Sequence, residues 1–365
     1  MLYLWKTMST MKKYLTLAIA AAVLATGCNQ KEEIGLYTLS NGNGMEVSIT
    51  NYGGRIVSLM VPDRDGDLKD VVLGFDDLED YRPENNQTDF GASIGRYANR
   101  INQGLITIDG VTYQLPQNNY GHCLHGGPDG WQYRPYKVVE ATGNSLKLQI
   151  VSPDGDASFP GTVTATVTFN LTEDNALDID YEAVTDKATV INMTNHAYFN
   201  LSGDPAGHSI TEDILQINAS AYTPVDSTFM TTGEIAPVEG TPFDFREPKL
   251  IGLEIDADNE QIRNGHGYDH NWVLDGTQPA ATLYCPETGI CLEVSTDEPG
   301  IQVYCGNFLD GTVIGKGGIA YPHRSAICLE TQHYPDSPNK PEWPSVILRP
   351  GETYHSHCTY SFSVR

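Results

Sequence analysis

From Ile34 to Arg365 the chain is written in short alternating segments, each cut off from the next by Gly, Pro, Asn or Asp. "MEVSITNYGGRIVSLMVP" reads as a strand, a Gly53-Gly54 turn and a second strand, and "GLITIDGVTYQL" sets strands on either side of an Asp109-Gly110 hairpin signal. "TVTATVTFNLTEDNALDIDYEAV" turns at Glu173-Asp174-Asn175, and "ATLYCPETGICLEVST" breaks between Pro286 and Gly289. Long helical periodicities are few; short helical turns are expected only over 76–84 and 250–262. This punctuation predicts an all-β fold of stacked antiparallel sheets. No Ser- or Gly-rich linker, internal repeat or low-complexity block divides the segment, so 34–365 reads as one large domain.

The residues before Ile34 follow other rules. Lys12 and Lys13 precede an apolar run from about Leu15 to Ala25, and then come Thr26, Gly27 and Cys28. A charged region, a short apolar region and a small-residue cleavage site make a signal peptide over 1–27, and the run is too short for a comfortable membrane span. The Gly-Cys ending resembles a bacterial lipoprotein signal, with Cys28 as the lipidated first residue, although Ala25 stands where that pattern prefers a larger aliphatic residue. Met11-Lys12-Lys13 is itself a good beginning, so residues 1–10 can be an artefact of start-site choice. Residues 28–33 then read as a solvated tether. The expected location is the periplasmic side or the cell surface, with the membrane touched only through the lipid on Cys28.

The chain has 22 Lys and Arg against 47 Asp and Glu, a net charge of −25. Loss of 1–27 removes three lysines and no acid, which leaves −28. A field of that sign repels phosphate backbones and anionic head groups, so nucleic acid is excluded as a partner. Beyond Cys28 there are six cysteines, with neither the density of a disulfide scaffold nor a C-x-x-C metal pattern, and buried free thiols are the expectation.

Chemistry gathers in five stretches. In "INMTNHAYFNL", a period of two puts Ile191, Met193, Ala197, Phe199 and Leu201 on one face and Asn192, Thr194, His196, Tyr198 and Asn200 on the other. That second face is expected to line a site that binds or protonates a polyol. In "AICLETQHYPD", Glu330 ends an apolar run, where desolvation lifts a carboxyl toward the range of a general base. His196 is the complementary acid. "GRYANRI" offers Arg100 as a fork of donors, "HCLHGG" places His125 before two glycines, and "GYDHNW" offers Asp269 as an acceptor. Taken singly, each of these is as readily a structural residue as a functional one.

The combination closely resembles the aldose 1-epimerase family. "NYGGRIVSL", "GRYANRI", "LHGG" followed by Trp131, "NHAYFNL", "DHN", "PGIQVYCGNFLDG", "CLETQHYPD" and "LRPGETY" occur in the family's order. The resemblance implies a β-supersandwich and a cofactor-free, metal-free interconversion of the α and β anomers of free aldoses such as glucose and galactose. It implies His196 as the proton donor to the ring oxygen and Glu330 as the acceptor from the anomeric hydroxyl. Asn99, Arg100, His125, Tyr198, Asp269 and Gln302 fall on sugar-binding positions, in a monomer or weak dimer. Tyr97 stands where a smaller aliphatic residue is common and is expected to alter sugar preference. The rival readings are a non-catalytic sugar-binding module, a glycoside hydrolase using Asp269 and Glu330, and a hexose-6-phosphate epimerase, which the acidic charge disfavours.

Overall fold

A computed structural model describes residues 32–365, which form one unit from Glu32. The signal peptide, Cys28 and most of the tether lie outside the described residues.

The largest layer is a nine-stranded sheet, antiparallel throughout. It runs in the order Lys137–Ala141, Ser145–Ser152, Val163–Leu171, Ala176–Thr185, Tyr354–Val364, Ile290–Thr296, Ala281–Tyr284, Ile214–Ile217 and Lys249–Leu250. The C-terminal strand sits at its middle, so the last residues of the chain join the two halves of the sheet. A five-stranded sheet follows the order Ala236–Pro237, Ala219–Thr223, Asp269–Leu274, Gly300–Tyr304 and Cys328–Gln332. A four-stranded meander, Leu36–Ser40, Glu46–Thr50, Arg55–Pro62 and Leu68–Asp70, adds a further layer.

Strand alternation decides which side of the five-stranded sheet carries chemistry. Trp272, Ile301, Val303 and Leu329 belong to one core with Phe169, Ile179, Leu292, Val294 and Phe362 of the large sheet, and Tyr360 Oη donates to the Leu329 carbonyl across the gap at 3.1 Å. The residues between them fall on the other face. Gln302 stands directly across from Glu330, Asn271 from Gln302, and Asp269 from Tyr304. Every residue of Gly300–Tyr304 and Cys328–Gln332 is buried, so this polar face is covered by other parts of the chain.

The expected turns occur where Gly, Asn and Asp allow them. Asp109 and Gly110 both have positive φ, at 51° and 80°, as a two-residue type I′ hairpin requires, and Asn175 closes its turn at 64°. Leu78–Tyr81 is a short 3₁₀ turn whose N-cap Asp77 accepts from the Glu79 N–H. Ile251–Leu253 is another, and the α-helix Glu260–Gly265 begins at the end of the expected window and runs past it. Cys123, Cys285, Cys291, Cys305, Cys328 and Cys358 are buried free thiols.

"INMTNHAYFNL" is not one strand. Only Thr194–His196 pairs as a strand, with Ala92–Ile94, while Asn192 and Phe199 make isolated bridges to Tyr97 and Ile327. The alternation still holds on the apolar side, because Ile191, Met193, Ala197, Phe199 and Leu201 all join the main core.

Candidate active site

A cavity of about 420 Å³ opens on the polar face of the five-stranded sheet. Of the eight residues singled out from the sequence, Asn99, Arg100, His125, His196, Tyr198, Asp269 and Glu330 line it. Gln302 does not: it is 3% exposed and lies behind Asp269, donating from Nε2 to Oδ1 at 2.7 Å.

His196 Nε2 and Glu330 Oε1 are 3.5 Å apart, and both side chains are buried. That distance is long for a hydrogen bond, so neither group is strongly tied to the other. His196 Nδ1 and Glu330 Oε2 are buried with no hydrogen-bond partner among the described residues. Burial pushes the Glu330 carboxyl well above its ordinary value; the charges of Asp269 and Asp89 push the same way, and Arg100 pulls it back. Burial lowers His196, against an upward pull from Asp89. The pair is therefore an imidazole and a carboxyl of drawn-together proton affinity, which favours proton exchange through a bound substrate.

His125 is fixed by the backbone. Its Nδ1 accepts the Asn99 N–H at 3.1 Å, and burial pushes its pKa down to about 3. It is thus a neutral imidazole whose Nε2–H is left to donate. The glycines of "LHGG" let this turn approach the neighbouring segment: at φ 78°, a Cβ on Gly126 would come within 2.3 Å of the Gly95 carbonyl oxygen. Trp131 packs against Gly95 itself, where an added Cβ would meet its ring at 2.1 Å, so the Trp131 that follows "LHGG" is a core residue that fixes the neighbouring segment and does not line the cavity.

Arg100 donates from Nε and Nη2 to Asn119 Oδ1, at 3.2 and 3.0 Å, and its guanidinium lies 5.0 Å from the centre of the Phe229 ring. Stacking and a shared acceptor hold the fork still. Burial raises the Asp269 carboxyl, while Arg100 and the Gln302 donor oppose the rise. Tyr198 stacks on His196, with centroids 5.1 Å apart and planes at 19°.

The polar face of 192–200 divides. His196 and Tyr198 reach the cavity, whereas Asn192 donates to the Ala98 and His333 carbonyls and Asn200 to those of Ser325 and His208. Those two amides satisfy buried backbone rather than a ligand. Tyr97 does not line the cavity either: it is 1% exposed and hydrogen-bonds the Tyr334 carbonyl, so an effect of this residue on sugar preference would act through its neighbours rather than by contact. The sequence reading missed Asp89, which lines the cavity from the loop before Ala92–Ile94, and the rim residues Asn119, Tyr120, Tyr304 and Phe308. Two trios here have metal-ligand spacing, Asp89–His125–His196 and His196–Cys328–Glu330. Burial holds the Cys328 thiol protonated, which disfavours the second as a thiolate site.

The aldose 1-epimerase family model matches residues 35–361. The galactose mutarotase of Rattus norvegicus is 42% identical over 323 residues, 88% of this chain and 92% of the relative. The aldose 1-epimerase of Escherichia coli (strain K12) is 41% identical over 334 residues, 90% of this chain and 94% of the relative. Among solved structures, a GalM/aldose epimerase homologue from C. elegans superposes with a TM-score of 0.84 at 32% identity, covering 91% of this chain and 99% of that one. A galactose 1-epimerase from Lactobacillus acidophilus NCFM gives 0.80 at 30% identity, covering 91% and 95%. The likeness thus runs through the sheets that carry the cavity and nearly from end to end of each relative, and the chain belongs to the aldose 1-epimerase family.

Proposed function

We propose that the protein is a mutarotase that interconverts the α and β anomers of free aldohexoses, with Glu330 as base and His196 as acid. The observation that carries this reading is the buried pair, 3.5 Å apart, at the floor of the cavity. A cyclic hemiacetal has two oxygens on one carbon, the anomeric hydroxyl and the ring oxygen. Glu330 takes the proton from the hydroxyl while His196 Nε2–H protonates the ring oxygen, and the bond from C1 to the ring oxygen breaks. Rotation about C1–C2 presents the other face of the aldehyde, and the same two groups return the protons in reverse. His125, Arg100 and Asp269 hold the hydroxyls of the open chain so that it recloses before it escapes. Exchange between the two anomeric proton signals at equilibrium, followed by NMR, tests the reading. Exchange accelerated by catalytic amounts of protein supports it; binding without acceleration supports a sugar-binding module instead.

Asp269 can accept from a sugar hydroxyl only if its carboxylate is held in place, and Gln302 Nε2 holds it. Gln302→Leu is expected to raise KM roughly tenfold or more, the worth of a hydrogen bond to a charged group, with a smaller change in kcat. Steady-state kinetics separates the two.

We also propose that the mature protein begins at a lipidated Cys28 and works outside the cytoplasm as a monomer or weak dimer. The support is the sequence of the leader. Intact-mass measurement should show an acylated chain starting at Cys28, and Cys28→Ser should move the protein from the membrane fraction to the soluble one. An unmodified Cys28 in the wild-type protein contradicts the anchor.

A further inference from the structure

Asp89 lines the cavity, yet the proton transfers do not use it. One of its carboxylate oxygens and one ring nitrogen each of His125 and His196 lie within 4.8 Å of one another. Its side chain is half-buried, and among the described residues its one side-chain hydrogen bond is a long one, 3.5 Å from Tyr133 Oη. Lone pairs are therefore left over, in a wall that otherwise offers imidazole N–H groups.

A hydroxyl can both donate and accept, whereas a carboxylate only accepts. With hydrogen bonds of about 2.8 Å on each side, set at roughly the tetrahedral angle, one hydroxyl bridges polar atoms about 4.6 Å apart. It therefore fits between Asp89 and a histidine, donating to the first and accepting from the second. The identity of that hydroxyl rests on the mutarotase reading. His196 faces the ring oxygen, which is bonded to C1 and C5 alone. The C1 side belongs to Glu330, with Asp269 and Gln302 on the strands beside it. The group left on the histidine side of the ring oxygen is C5 with its hydroxymethyl arm.

We infer that Asp89, together with His125, forms a subsite for the primary hydroxyl on C5, so that the protein selects neutral aldohexoses over sugars that lack this hydroxyl. An anionic group at the same carbon would face Asp89 with Glu330 and Asp269 close by, three carboxyl groups against the one guanidinium, Arg100, that lines the cavity. Uronates and 6-phosphates are thus disfavoured by charge.

The test compares kcat/KM for D-glucose and 6-deoxy-D-glucose, which differ by that hydroxyl alone, using the mature protein. The wild type should prefer glucose roughly 10- to 100-fold. Asp89→Ala should lower that ratio by roughly tenfold or more, with Asp89→Asn in between. A wild-type ratio near one overturns the subsite, and so does an equal loss on both sugars in the variants, because Asp89 would then act through His196. If the wild type accelerates neither sugar, the mutarotase reading itself fails and the subsite with it.

Discussion

Glu330→Gln is expected to lower kcat for mutarotation by about 10²–10⁴-fold, the usual worth of a positioned general base. An amide keeps the shape and hydrogen-bonding reach of the carboxyl but cannot carry the proton. The same change is expected to raise Tm by a few degrees. Glu330 is 2% exposed and its Oε2 has no partner among the described residues, so its charged form is poorly solvated. In the folded state its pKa lies well above 4.5, so between 4.5 and the raised value the native protein binds a proton that the unfolded chain does not. Stability is consequently lost as pH rises through that window, and the variant escapes the loss. Gln302 Oε1, buried without a partner among the described residues and directly across the strands, can accept from the new amide. Activity lost while stability is gained is the mark of a functional residue held at a cost to the fold. Thermal melts at pH 5 and pH 8 beside the kinetics check both halves.

His196→Asn is expected to cost about 10²–10⁴-fold in kcat as well, with little change in Tm. The imidazole is held by stacking on Tyr198 and edge contact with His125, whose ring centre is 5.2 Å away, rather than by a hydrogen bond at Nδ1. Because the acid and base act on one hemiacetal, the double variant should be little worse than either single one. Multiplicative losses in the double variant would show that the two groups act in separate steps.

Much of this was legible in the chain because alternation does double duty. The period of two that puts Ile301, Val303 and Leu329 into the core also puts Gln302 and Glu330 on the opposite face, whereas the sequence singled out Glu330 as the end of an apolar run and Gln302 only through the family resemblance. The turns at Gly53-Gly54, Asp109-Gly110 and Asn175 follow from residues that tolerate positive φ. What alternation cannot say is whether a polar residue meets a ligand or buried backbone. Asn192 and Asn200 share a face with His196, yet their amides satisfy carbonyls of distant segments, Asn192 that of His333 and Asn200 that of Ser325. Tyr97 is a further case: its hydroxyl is fixed by Tyr334 and Ser337, over two hundred residues away, and it stands off the cavity that Asn99 and Arg100 line. Asp89 is missed from the other side. It sits in "NNQTDF", a loop with no periodicity, and only the fold brings it beside His125 and His196.

The most direct measurement is polarimetry of freshly dissolved α-D-glucose and α-D-galactose with the mature protein, beside the Glu330→Gln variant. A faster approach to the same final rotation is expected, with the acceleration lost in the variant. No acceleration of either sugar by a folded protein that binds them, or equal acceleration by wild type and variant, would contradict it.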